Sequence, residues 1–182
     1  EEFSARYAKA LDDTFTSLLR QTSGRQLLVP LSGGLDSRLV ATWLKRLDAP
    51  NVIAFTYGVK GSAEADIAQR VAEKLDLEFV FVPMEAKKVR ALWFSEAADA
   101  FREATWKGSA LPHVQDWYAL MWLKQSGVAE EDAVFVPGHT PVGATHSREL
   151  LVGAPTGNMV AAGIASYHSA DPAKAAETEA TK

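Results

Sequence analysis

The chain has 182 residues, 47% of them apolar and 23% charged, enough for one well-filled core. With no cysteine it can form no disulfide, thiolate metal site or cysteine nucleophile. A net charge of −4 leaves no basic face for a phosphate backbone, so nucleic acid is not an expected partner.

In chain order, Phe3, Tyr7, Leu11, Phe15 and Leu18 recur at helical spacing and predict an amphipathic helix over residues 2–20. QLLVPL (26–31) is a short apolar run of the kind a buried strand shows. Pro30 has no N–H for a sheet ladder, which matters least at the strand's end. Leu39, Val40, Trp43, Leu44 and Leu47 mark a second helical face, with the helix beginning near Ser37. VIAFTY (52–57) predicts a second strand. Ile67, Ala68, Val71, Ala72 and Leu75 form a third helical stripe, and residues 79–82 a third strand. One helix is expected over 86–104, another over 115–125, and a fourth strand at AVFV (133–136). A further helix is expected around Met159 to His168. Alternation of strand and helix at short spacing predicts an α/β fold, a parallel sheet with helices on both faces.

From Asp171 the chain reads DPAKAAETEATK, with no large apolar residue, and a disordered tail over 171–182 is expected. No stretch is long and apolar enough to span a membrane, and a cytoplasmic protein is expected. Glu1 stands where an initiator Met would, which suggests a piece of a longer protein.

LSGGLDSR (31–38) is richer in glycine and hydroxyls than a strand-to-helix turn requires. In a parallel sheet, ligands bind beyond the carboxyl ends of the strands, where this loop falls. Gly33 and Gly34 leave amide hydrogens free to face an anion, and the following helix adds the positive end of its dipole. Ser32 and Ser37 can donate to phosphate oxygens. Asp36 suits such a cradle if it holds Mg²⁺ beside the phosphates. The plainer alternative makes Asp36 or Ser37 a helix N-cap. The loop is neither Walker A nor a dinucleotide fingerprint.

SGGLDS resembles the signature of the PP-loop ATP pyrophosphatases (the adenine nucleotide alpha hydrolase-like fold). Within them the resemblance is to the asparagine synthase-like synthetase domain. It is carried by LLVPLSGGLDSRLVA (27–41), FTYG followed by EADIAQRVAEKLDLEFVFVP (55–83), HVQDWYALMWLKQSG (113–127) and DAVFVPGHT (132–140). The resemblance implies an ATP-binding domain over residues 1–170. Such a domain cleaves ATP to AMP and pyrophosphate, adenylates a carboxylate substrate and forms an amide with ammonia or an amine. It implies ATP and Mg²⁺ as cofactors. Ser32, Gly33, Gly34, Asp36 and Ser37 would hold the pyrophosphate, with Asp36 also on the metal. Tyr57 and Gly58 would flank the adenine, although Tyr57 also fits plain strand-end packing, and Gly138 would lie near the nucleotide.

Two departures from the family pattern stand out. GHTPVGATH (138–146) lacks the acidic residue expected past the glycine, and the next carboxylate is Glu149. The family's adenylate-supporting lysine has no counterpart beyond Lys174 in the polar tail. The alternative function is therefore a non-catalytic nucleotide-binding module. A glutaminase needs an N-terminal cysteine, so any glutamine-derived ammonia would come from a separate or missing domain. No H-E-x-x-H spacing links His113, His139 and His146, which read as loop histidines rather than metal ligands, with His139 beside Gly138 also a candidate substrate neighbour. Asp116 is either a helix N-terminal carboxylate favoured by the dipole or a pocket residue. Arg38 either pairs with a phosphate or faces solvent.

Overall fold

A computed structural model of the chain describes residues 2–105 and 113–138. The expected histidines 139 and 146, Glu149, Lys174, the helix near Met159 and the tail lie outside the described residues. The chain divides into two compact units, one of residues 1–94 with 113–139 and one of 95–112 with 140–182.

The first unit is built on four parallel strands: β1 (Leu27–Pro30), β2 (Val52–Gly58), β3 (Glu78–Pro83) and β4 (Val134–Phe135), in the order β3-β2-β1-β4. All four expected strands are present, each within two residues of its expected ends. β1 and β2 are apolar on both sides because helices cover both faces. On one face Leu27, Val29, Leu31 and Ala54 pack with Phe15 of α1 (Glu2–Thr22), Ala41 and Leu44 of α2 (Leu35–Arg46), and Ala68 and Ala72 of α3 (Ala63–Lys74). On the other, Leu28, Ile53, Phe55 and Val82 pack with Tyr118, Ala119 and Leu123. The helix supplying those three is α6 (Val114–Gln125), and Val89 and Leu92 of α4 (Ala86–Trp93) join it. Alternate residues of each strand thus feed opposite cores, as the pleat requires.

Pro30 closes β1, opposite Phe55. The β1–β2 ladder is not interrupted, because Leu27 and Leu31 donate to that side (to the Asn51 and Phe55 carbonyls at 2.9 and 2.7 Å), whereas Pro30, like Gln26 and Leu28, faces the β4 side. The single helix expected over 86–104 is instead two. α4 stops at Phe94 and α5 (Glu96–Thr105), in the second unit, starts after Ser95. The Ser95 carbonyl accepts from Ala98 and Asp99, opening a new helix rather than continuing the old one. Apolar periodicity runs across this break, and serine's poor fit inside a helix is the signal that periodicity hides.

β4 is only two residues long and is anchored by Gln26. This buried side chain donates to the Val128 carbonyl (3.0 Å) and accepts from the Glu130 amide (2.9 Å). Gln26→Leu is expected to cost about 1–3 kcal/mol of unfolding free energy, because both backbone groups lose a partner. Urea unfolding measures it, and an unchanged midpoint would show that the clamp carries no stability.

Among the described residues, no helix is long and apolar enough to cross a membrane. The order β3-β2-β1-β4 means the chain winds outward from β1 through β2 to β3, then returns to β1's other side for β4. The sheet's switch point therefore lies between β1 and β4, at their carboxyl ends.

Candidate functional site

At that switch point lies a cavity of about 290 Å³. Its walls come from the end of β1 and the loop after it (Pro30, Leu31, Ser32, Gly34), from Asp36 and Ser37 at the start of α2, and from Phe55, Thr56 and Tyr57 of β2. Glu64 of α3, Asp116 of α6 and Gly138 beyond β4 complete it. Six of the eight residues expected at the site thus meet around one space. Gly33 and Gly58 do not line it.

α2 begins at Leu35, two residues earlier than expected, with Gly34 in the N-cap position and no side-chain cap. Asp36 and Ser37 are therefore inside the first turn, and neither is the cap. The hydroxyls of Ser32 and Ser37 meet at 3.0 Å, while Ser37 Oγ accepts from the Ser32 amide and Ser32 Oγ from the Gly34 amide, each at 3.1 Å. Two hydroxyls carry two protons, and their mutual hydrogen bond uses one. The other is left for a further acceptor.

Arg38 neither faces open solvent nor reaches into the cavity. Its guanidinium donates to the carbonyls of Gly33 and Gly34, the latter at 3.1 Å. In a trans peptide the N–H points opposite the carbonyl, so this side chain fixes the next two amides, of Gly34 and Leu35, facing away from itself, the Gly34 amide being the one that donates to Ser32 Oγ. A cation behind the loop thus orders the backbone that would face an anion.

Neither loop glycine is demanded by its backbone angles. Gly34 has φ −76° and ψ 165°, and Gly33 is not in the left-handed region. A Cβ on Gly33 would meet only the Ile67 and Glu64 side chains, at 3.8–4.0 Å. The fold itself therefore has room for a side chain at this position.

Gly138 is different. A Cβ there would lie 2.7 Å from the Ser37 nitrogen, 2.8 Å from Ser37 Cα and 2.9 Å from the Asp36 carbonyl carbon. The exit from β4 therefore lies directly on the first turn of α2, which only glycine permits. Gly58, with φ 154°, turns the chain at the end of β2, and its carbonyl accepts from Met84 at 2.8 Å.

Tyr57 is half-buried, and its hydroxyl donates to Asp116 Oδ1 at 2.9 Å. Burial first, then this hydrogen bond and the nearby carboxylates, push its pKa well above the usual tyrosine value. The hydroxyl therefore keeps its proton at neutral pH. Asp116 Oδ2 lies 2.7 Å from His113 Nδ1. Asp116 is thus both a first-turn carboxylate of α6 and a pocket residue. The spacing that signalled the first role gave no sign of the second, since Tyr57 is 59 positions away.

The carboxylate expected after β4 has no counterpart at residues 138–146. Glu64 and Asp116 are the carboxylates the cavity has besides Asp36. Among the described residues, no group of three or more His, Asp or Glu is arranged to hold a metal by itself. Asp36 fits as one ligand of a Mg²⁺ completed by phosphate oxygens and water, the usual mode for that ion.

None of the curated proteins matches the chain. Its fold is similar to that of a solved NAD synthetase. An NH3-dependent NAD synthetase from Campylobacter jejuni, in complex with nitrate, is 19% identical over 98% of this chain and 85% of that one, with a TM-score of 0.50. A second, NAD+ synthetase from Burkholderia pseudomallei, is 20% identical over 91% of this chain and 75% of that one, with a TM-score of 0.45. At such identities the likeness is one of fold. The asparagine synthase family model is more specific, matching residues 6–123. That match runs from within α1 to the last turn of α6, through the glycine loop, Tyr57 and Asp116, and by it the chain belongs to the asparagine synthase family.

Proposed function

We propose that the chain is the ATP-binding synthetase domain of an amide-forming enzyme. In this reading ATP is cleaved to AMP and pyrophosphate, a carboxylate substrate takes the AMP, and ammonia or an amine displaces it. The observation that carries the reading is the Ser32–Ser37 loop at the switch point, where Ser32, Gly34, Asp36 and Ser37 line one cavity and Arg38 orders the backbone behind them.

Ser32, Gly33, Gly34 and Ser37 would hold the pyrophosphate end of ATP through one hydroxyl proton and loop amides, those of Ser32 and Gly34 exchanging their hydroxyl acceptors for phosphate oxygens. Asp36 would hold Mg²⁺ on the phosphates, offsetting the charge that builds on the leaving pyrophosphate. Tyr57 would flank the adenine at the end of β2, with Gly58 turning the chain behind it. The backbone at Gly138 would border the nucleotide from the β4 side. The domain would extend over residues 1–170, with 171–182 as a tail outside it. Its ammonia would come from a separate domain or from solution.

The lack of an acidic residue in GHTPVGATH favours a second reading, a nucleotide-binding module without catalysis. Titration calorimetry of ATP against the chain, with and without Mg²⁺, tests the site. Magnesium-dependent binding that weakens at least about tenfold in Asp36→Ala is expected, given the worth of a charge-paired group at a phosphate. Binding indifferent to Mg²⁺ would refute the role of Asp36. Pyrophosphate release with candidate carboxylic acids then separates the readings: release supports the synthetase, and tight binding without release supports the module.

A further inference from the structure

The cavity has a feature that phosphate binding does not use. Asp116 is only 7% exposed, yet it comes from α6, on the opposite chain segment from the glycine loop, and its carboxylate meets the end of β2. One oxygen takes the Tyr57 hydroxyl at 2.9 Å and the other the His113 imidazole at 2.7 Å. Each oxygen thus has a partner within the protein, and the two partners together fix the direction of the carboxylate.

We propose that Asp116 is a positioning residue for the base of the nucleotide, acting through Tyr57. A tyrosine on a strand has its Cα fixed by the sheet. Tying its hydroxyl at the far end sets the first side-chain torsion, and because a phenol O–H prefers to lie in the plane of its ring, the direction of the bond to Asp116 also favours one ring plane. Such a ring is a prearranged flat wall, and a planar aromatic base can stack on it without first ordering it. His113 holds the second oxygen, so the carboxylate cannot rotate away from the tyrosine. The raised pKa of Tyr57 is in keeping with this, because the hydroxyl must stay a donor. α6 favours the carboxylate at this place through its N-terminal dipole. The ligand chemistry recognised is a planar purine joined to a phosphate chain that reaches the Ser32–Ser37 loop, so the inference rests on the proposed function.

The test is a double-mutant cycle on the full chain, reading the dissociation constants of Mg·ATP and of Mg·pyrophosphate separately. Tyr57→Phe and Asp116→Ala are each expected to weaken Mg·ATP about tenfold, within what loss of an ordered stacking partner costs. The double variant is expected to lose no more than either single one, because the two residues act as one device. Mg·pyrophosphate binding should be unchanged in every variant, which a merely structural fault would not spare. Asp116→Asn retains an oxygen that accepts from the hydroxyl and should recover most of the affinity. Multiplying losses in the double variant, equal weakening of pyrophosphate, or unchanged ATP binding by Tyr57→Phe would each overturn the proposal. If the parent chain binds Mg·pyrophosphate but not Mg·ATP, base positioning fails while the phosphate site stands. If it binds neither, the proposed function fails and this inference with it.

Discussion

Gly138→Ala is expected to weaken both the fold and the nucleotide site, while Gly33→Ala weakens only the site. The contrast follows from what each new methyl group would meet. At 138 it meets three backbone atoms of α2's first turn, all within 3 Å. No side-chain rotation relieves backbone, so either the exit from β4 or the start of α2 must move. Overpacking of this sort typically costs about 1–3 kcal/mol. In a chain of this length that lowers the melting temperature by roughly 2–10 °C. Movement of α2 would also displace Ser37, whose Oγ accepts from the Ser32 amide, and would open the loop. ATP affinity is therefore expected to fall at least about tenfold, since a shift near 1 Å removes well-aligned hydrogen bonds. At 33 the methyl group meets only side-chain carbons at ordinary contact distance. Its melting temperature should match the parent's, and only binding should suffer. Thermal unfolding and calorimetry on both variants check this. Identical behaviour of the two would show that Gly138 does not sit on α2 as closely as described.

That difference between two glycines is invisible in the sequence, where both are simply glycine after a strand. The two central strands are legible because each is a dense apolar run buried on both faces. LLVP and VIAFTY are of this kind. The start of α2 was less so. Rules for helix starts look for a capping side chain, and Gly34 supplies none, so Asp36 and Ser37 looked like the natural boundary. With the helix beginning at Leu35, the capping alternative for these two residues falls away, and both line the cavity. Arg38 shows a related limit. Its two sequence readings were phosphate partner or solvent-facing charge, and its actual partners are carbonyls four and five residues back. The link between Tyr57 and Asp116 was beyond reach for another reason. It depends on α6 crossing the carboxyl end of β2, a tertiary arrangement that no local spacing encodes. What periodicity misses in each case is a contact made by backbone or across the fold.

Phe55→Ala is the other large effect expected, and it falls on stability. Phe55 is fully buried in β2, on the face that packs with Val82, Tyr118 and Leu123. Its ring also lies 6.3 Å from that of Phe135 at a tilt of 40°, tying the short β4 to the sheet. Removing a fully buried phenyl ring costs about 3–5 kcal/mol, counting lost burial and the cavity left behind. Against a total of roughly 5–15 kcal/mol for an ordinary domain, that is enough to leave a marginal fold. Urea unfolding should show the midpoint fall with little change in slope. A loss under about 1 kcal/mol would mean the second core does not depend on this ring. Tyr57, two positions along and on the same face of the strand, makes the opposite prediction. Its ring lines the cavity and its hydroxyl is spent on Asp116, so Tyr57→Phe should change ATP binding far more than the unfolding midpoint. The pleat places both side chains on one face, with depth deciding the role of each. Phe55 lies in the core between sheet and α6, while Tyr57 lies where the strand runs out and the cavity begins.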